Sequence, residues 1–422
     1  MARKMKDSGI EWIGEIPEGW RTINPKALFT QRKDKAQKGE RQLTSSQQYG
    51  ILYQDDYMEL TGSKVVTVEK DFDILKHVEA GDFVISMRSF QGGLEYSTKS
   101  GAISSAYVML VPNLELVYPR FYRWLLKSSV YIDALQRTTN MVRDGQAMRY
   151  SNFAQVRLFT LPLDEQKSRA DFLDLECSSI DKILFKTRSS IEEYKKLKQT
   201  VITQAVTKGV RGEREMKDSG VEWIGEIPKE WDILDLVAHT SMLTPMRDRP
   251  ENLDGPIPWI RIEDFDGKYI SSSKASLGVS KETVRSMNLK IYPVGTILCT
   301  SSCIMGKCAI VSRELVSNQR FIGIIPDQNT CENFLYYLML SNSERMNYLA
   351  TGALQANLSR SSFEHLKVQF PSYQEQKEIS DYLDTKCAEI DKLIAKKEQL
   401  VKELESYKKS LIYEVVTGKR EV

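Results

Sequence analysis

Histidine is nearly absent from this 422-residue sequence, which has only His77, His239 and His365, none in a metal or nucleophile motif. Surface or structural roles follow for all three. Cysteine is also sparse. Cys177, Cys299, Cys303, Cys308, Cys331 and Cys387 form neither a CxxC pair nor a secreted-type framework, which points to reduced thiols. The run Cys299, Cys303, Cys308 has no nearby His and the wrong spacing for a tetrahedral zinc knuckle, so no metal is expected. No window approaches the roughly 18 apolar residues of a membrane span, and Met1 to Ile10 is polar; the expectation is a cytoplasmic protein away from membranes. A GxxxxGK[ST] phosphate loop is missing, because Gly306-Lys307 runs into Cys308 without the upstream glycine. Also missing are a GxGxxG turn and an Asn-Pro-Pro-aromatic tetrapeptide; Asn24-Pro25-Lys26 is not one. The carboxylate clusters Asp55-Asp56 and Glu263-Asp264-Asp266 lack a catalytic lysine pattern and read as turns. The chain is therefore expected to be non-catalytic and to bind no cofactor itself. One-signed charge is lacking too: 59 basic against 57 acidic residues leave a net +2, so any contact with phosphate must come from local clusters.

What is present is a globular composition, 41% hydrophobic and 27% charged, in a chain too long for one ordinary core. It also repeats. Residues 5–20 read MKDSGIEWIGEIPEGW and residues 216–231 read MKDSGVEWIGEIPKEW, a shift of 211. A second block returns with a shift of 210: Glu165-Gln166-Lys167 against Glu375-Gln376-Lys377, Phe172-Leu173-Asp174 against Tyr382-Leu383-Asp384, and Ile180-Asp181-Lys182 against Ile390-Asp391-Lys392. The order is A-B-C-A′-B′-C′.

The C blocks read as helices with one heptad register. Leu173, Ile180, Tyr194 and Val201 alternate with Cys177, Leu184, Ile191 and Ala205, with breaks at Thr187 and Lys198. Leu383, Ile390, Leu404 and Leu411 alternate with Cys387, Ile394, Val401 and Val415 in the second copy, with breaks at Lys397 and Lys408. Each run of about 43 residues lacks Pro and Gly and measures about 65 Å as a helix. Matched seams predict mutual, antiparallel, coiled-coil-like pairing, with Gly209, Gly212 and Gly418 as stops.

The B blocks keep only a faint common skeleton: Gly81 to Ser86 against Gly295 to Thr300, helix candidates Phe121 to Ser129 and Phe334 to Asn342, and strands at Tyr107 to Val111 and Phe321 to Ile325. The expected fold class is α+β, or mixed α/β: a globular domain at 1–160, a spacer helix region at 161–213, a second domain at 214–370 and a second spacer at 371–422. Loops in both domains mix residues that donate to phosphates and grip base edges. In the first copy these are Arg88, Ser89 and Gln91, then Arg143, Gln146 and Arg149. The second copy offers Arg261, Ser302, Lys307, Gln319, Arg320, Gln355, Asn357 and Arg360. Arg suits guanine O6 and N7, Gln or Asn suits adenine, and Lys suits phosphate.

With these motifs in hand, the chain resembles the specificity (S) subunits of type I restriction-modification systems over essentially its whole length. The carriers are the duplicated Lys-Asp-Ser-Gly-Ile/Val-Glu-Trp-Ile-Gly-Glu-Ile-Pro, the Glu-Gln-Lys, Leu-Asp and Ile-Asp-Lys helices, and a strand-like stretch from Ile257 to Gly267. The resemblance implies two target-recognition domains related by pseudo-twofold symmetry and separated by the two long helices. Each domain then reads half of a bipartite, asymmetric site in double-stranded DNA. It further implies two docked modification subunits carrying S-adenosylmethionine and the adenine-methylating residues, and restriction subunits using ATP and Mg²⁺. Two other readings remain at this point: a self-sufficient DNA methyltransferase or nuclease, and a coiled-coil adaptor with no DNA role.

Overall fold

The duplicated opening motif folds in the same way in both copies. A computed structural model describes residues 3–68, 72–86, 94–138, 149–245, 249–302, 306–350 and 358–422. Met5–Asp7 pairs antiparallel with Glu15–Pro17, and Met216–Asp218 with Glu226–Pro228. The intervening turn explains the Asp-Ser-Gly signature. Asp7 Oδ1 accepts from the Gly9 N–H at 3.0 Å and Ser8 Oγ from the Ile10 N–H at 3.0 Å; Asp218 and Ser219 repeat this at 3.0 and 3.1 Å. Gly9 and Gly220 sit at φ of 64° and 71°, where any side chain is strained. Trp20 and Trp231, closing each motif, are almost fully buried.

The chain divides into two compact units, Met1–Arg188 with Gln399–Val422, and Ser189–Glu398. In the first, an antiparallel sheet runs Phe29–Arg32, Tyr107–Pro112, Phe83–Ser86, Leu94–Tyr96. In the second, the order Thr240–Leu243, Phe321–Pro326, Ile297–Thr300, Cys308–Val311 repeats that arrangement, and Tyr269–Ile270 adds a fifth, parallel strand. Leu94 and Phe83 in one unit, and Ile297 and Ile322 in the other, bury this sheet against helices Pro119–Leu126 and Glu332–Ser341, respectively. The divergent B blocks thus share a sheet order as well as the faint sequence skeleton. The helix expected from Phe121 to Ser129 is instead broken into Pro119–Leu126 and Ser129–Gln136. Ser128 adopts an extended backbone, and its hydroxyl donates to the Leu125 carbonyl at 2.7 Å, ending the first helix.

The C blocks are helices Leu163–Lys208 and Tyr373–Val416. Gly209 and Gly418, at φ of 74° and 77°, follow their ends as left-handed caps. Helix segments pair antiparallel within each unit. In the first unit Leu173, Cys177, Ile180 and Leu184 share a core with Val401, Leu404, Leu411 and Val415. In the second, Leu383 and Cys387 share a core with Val201 and Ala205; Ile191 and Ile390 are buried, while Tyr194 and Ile394 are half-buried. Two of the polar breaks in the heptads have partners. Lys408 reaches Asp181 at 2.6 Å and Lys198 reaches Asp391 at 2.6 Å, so equivalent lysines meet equivalent aspartates.

Each long helix is tied at its start to the opening motif and to the sheet domain that follows it. Glu165 Oε2 accepts from Trp20 Nε1 at 3.1 Å, and Arg3 and Arg169 bind the same carboxylate. Glu375 repeats this with Trp231 at 3.1 Å and Arg214 at 2.6 Å. The adjacent glutamine holds the chain ahead of the sheet-covering helix: the Tyr118 N–H donates to Gln166 Oε1 at 2.7 Å, and the Cys331 N–H to Gln376 Oε1 at 2.8 Å. Burial opposes ionisation of Glu165, but hydrogen bonds from Arg3, Arg169 and Trp20 outweigh it and hold the carboxyl at about 2, below its usual 4.5. Because the folded-state pKa is depressed, this contribution is complete above about pH 4.5 and disappears as the pH falls toward 2. Burial also disfavours the charged Arg169, which reduces the net gain. Glu165→Ala leaves that buried guanidinium with only the Val415 and Arg420 carbonyls and no carboxylate partner, and is expected to cost roughly 3 kcal/mol at neutral pH. Chemical denaturation at pH 7 and pH 3 checks this: the gap between variant and natural protein should narrow at the lower pH.

Candidate nucleic-acid interface

In the second unit, strand Ile257–Ile260 lies parallel to Val316–Ser317, with Trp259 opposite Val316. The chain leaving each strand supplies one wall of a groove of about 230 Å³, lined by Arg249, Arg261, Asn318, Gln319 and Arg320 over an apolar floor that includes the buried Trp259. Three of the loop residues singled out in the sequence, Arg261, Gln319 and Arg320, therefore come together. Arg249 joins them from a third segment, twelve residues ahead of Arg261 in sequence. Its only sequence signal is the short basic run Arg247-Asp248-Arg249 ahead of Pro250.

Local hydrogen bonds set each wall. The strand-like stretch from Ile257 to Gly267 stops at Ile260, because buried Asp264 folds the following residues into a tight turn. One Asp264 oxygen accepts from the Arg261 N–H at 2.7 Å, and the other from Lys274 N–H at 2.8 Å and Ser273 Oγ at 3.2 Å. The Arg261 guanidinium lies 3.3 Å from Glu263, and its buried Nε has no hydrogen-bond partner among the described residues. On the other wall, Asn318 Oδ1 accepts from the Arg320 N–H at 3.1 Å. The Arg320 carbonyl accepts from Ser301 N–H at 2.8 Å, joining this turn to the end of the neighbouring strand. Behind the groove, a Cβ on Gly278 would come 2.2 Å from the Gly255 carbonyl oxygen, so this close backbone approach requires glycine.

The other sequence candidates are placed apart from this groove. Lys307 is exposed on the hairpin after Thr300, and Ser302 is buried at its base. Arg360 is exposed and paired with Glu364 at 2.7 Å. Arg149 is exposed at the head of helix Tyr150–Phe153, its N–H donating to Asn152 Oδ1 at 3.0 Å. Arg88, Ser89, Gln91, Arg143, Gln146, Gln355 and Asn357 lie outside the described residues. The sheet strands Phe83–Ser86 and Leu94–Tyr96 flank the first of these loops. The ends flanking the second are drawn together by Asn152 Nδ2 donating to the Thr138 carbonyl at 2.8 Å. Trp12 anchors its motif through a 3.3 Å bond to the Arg157 carbonyl, whereas Trp223 is 43% exposed and stacks on Arg345, 3.9 Å from the ring centre.

A family model of the type I restriction modification DNA specificity domain matches residues 229–403. The MjaIX specificity subunit of Methanocaldococcus jannaschii is 34% identical over 179 residues, 41% of this chain and 41% of that protein. The putative MjaX specificity subunit of the same organism is 23% identical over 431 residues, 96% of this chain and 95% of that protein. The matched stretch is thus under half of the first relative and nearly all of the second. Among solved structures, a chain from a study of assembly and conformational transition in the type I restriction-modification system superposes with a TM-score of 0.72 at 12% identity, covering 96% of this chain and 99% of that one. The HsdS subunit from Thermoanaerobacter tengcongensis gives 0.53 at 13% identity, covering 96% and 98%. Residues 229–403 thus carry the signature of a type I DNA specificity domain. The chain as a whole is similar to specificity subunits of type I restriction-modification systems.

The turn that aims Arg261 depends on one carboxylate. Asp264→Ala removes an acceptor for three donors and is expected to destabilise the second unit by about 2 kcal/mol. A lowered denaturation midpoint with an unchanged slope in urea would be the signature.

Proposed function

We propose that the chain is the non-catalytic DNA-reading subunit of its system. Each recognition domain reads one half of a bipartite, asymmetric duplex site, and the length of the paired helices sets the unread gap. The observation that carries this reading is one frame built twice, with the same sheet order and helix clamp, around loops that have diverged. A repeated frame with unlike loops suits one task on two different sequences, since direct readout is confined to the few side chains that reach base edges. The arginine-lined groove of the second unit supplies the local positive charge that the net balance of +2 does not.

Catalysis then belongs to partners. Two modification subunits bring S-adenosylmethionine and transfer methyl groups to adenine, and restriction subunits bring ATP and Mg²⁺ for translocation and cleavage. The chain itself holds no cofactor and works in the cytoplasm. No helix among the described residues is long and apolar enough to cross a membrane, in keeping with that location.

The direct experiment is long-read mapping of methylated adenines in cells that express the chain with its modification subunit, against cells lacking only the chain. A split motif that vanishes with the chain is the expected result; methylation that persists unchanged would sink the assignment. Replacing residues 24–160 with the corresponding domain of another family member should alter one half of the motif and leave the other intact. A change in both halves would show that the domains do not read independently.

A further inference from the structure

Resting on that DNA-reading role, we propose that the groove bounded by Arg249, Arg261 and Arg320 grips the phosphate backbone of the duplex and does not read bases. This assigns Arg261, Gln319 and Arg320 a task different from the base-edge pairing that their composition suggests.

The shape of the site is the first reason. Base edges lie recessed in a major groove about 12 Å wide and 8.5 Å deep, so a reader of bases must project into it. These side chains line a concavity of about 230 Å³ instead. A phosphate, which protrudes from the duplex as a charged tetrahedral knob, is the part of DNA that fits a concave receptor.

The charge pattern is the second. Three guanidinium groups face one groove, and the acid paired with any of them is Glu263, at 3.3 Å from Arg261. Among the described residues neither Arg249 nor Arg320 forms an ion pair. The buried Nε of Arg261 still has a proton to donate. Planar guanidinium forks match phosphate oxygens two at a time, and Gln319 and Asn318 can add neutral donors from the same wall.

The third reason is that both walls are held in advance. The Arg261 backbone is tied by Asp264 at 2.7 Å, and the Arg320 carbonyl by the Ser301 N–H at 2.8 Å. Holding the walls before DNA arrives limits the ordering cost of closing on a phosphate. A phosphate seat here fixes the register of the second unit on the duplex. Base reading in that unit then falls to residues outside the groove, among which exposed Lys307 is a candidate.

The test uses the full chain with its modification subunits, binding duplexes with and without the mapped split motif between 50 mM and 200 mM salt. Arg249 and Arg320 are exposed, so replacing either should leave the fold intact. Arg249→Ala and Arg320→Ala are each expected to weaken both duplexes by the same factor, roughly five- to tenfold near 0.1 M salt, and to flatten the logarithmic salt slope by about 0.9. Arg320→Lys should restore most of that slope, because a phosphate accepts a point charge where a paired base edge needs the fork. The methylated motif should be unchanged in all three variants. A loss confined to the motif-bearing duplex, or a relaxed base in the methylated motif, would overturn the proposal in favour of base reading. Unchanged affinity and slope in both alanine variants would place the groove off the DNA while leaving the specificity role standing. Should the natural assembly bind both duplexes equally, the DNA-reading role itself fails, and the clamp with it.

Discussion

Everything in each unit depends on where its long helix begins, and one glutamate sets that point. Glu165 and Glu375 each receive a tryptophan indole N–H from the opening motif and an arginine from just ahead of it, while the next residue, Gln166 or Gln376, holds the backbone that leads into the sheet-covering helix. Three pieces far apart in sequence are thereby fixed at a single helix turn. The tryptophans are nearly fully buried, so their indole N–H groups need an acceptor, and a carboxylate shared with arginine is a strong one. This contact explains why the Glu-Gln pair and the Ile-Pro-x-x-Trp stretch recur together while the sequence between them has drifted.

The helix seams carry a second constraint, on alignment. Leucine, isoleucine and cysteine at heptad positions supply the apolar contact but tolerate sliding by one repeat. The Lys408–Asp181 and Lys198–Asp391 pairs do not, since a shift of seven residues would part each lysine from its aspartate. Such exposed pairs add little stability, typically under about 1 kcal/mol. Their contribution is to make one alignment better than its neighbours. That both pairs join equivalent positions of the two repeats follows from antiparallel pairing, which brings the early half of one helix against the late half of the other.

Local signals made much of this legible in the sequence. The repeat exposed the frame, the 3.5-residue period gave both long helices, and alternating apolar residues marked Tyr107 to Val111 and Phe321 to Ile325, one residue short of the strands Tyr107–Pro112 and Phe321–Pro326. What escaped was set by distant partners. The end of strand Ile257–Ile260 is governed by Asp264 together with Ser273 and Lys274, and no period in the sequence marks it. The break at Ser128 is a single hydroxyl bond in an otherwise helical stretch. The groove needed three arginines from three segments, and composition alone could nominate Arg261 and Arg320 but had no means of adding Arg249. Nor does the heptad period change at Arg188 or Glu398, where one unit gives way to the other.

That division has a consequence for how the molecule is made. The second unit, residues 189–398, is one uninterrupted stretch, whereas the first needs residues 399–422 to complete its helix pair. Leu411, Val415 and Val416 belong to the same buried cluster as Trp20 and Leu173. On the ribosome, the domain synthesised second can therefore close before the one synthesised first. The early domain waits with an apolar helix face uncovered until residues 399–422 emerge. A premature stop near residue 400 would thus damage the half of the protein encoded farthest from it.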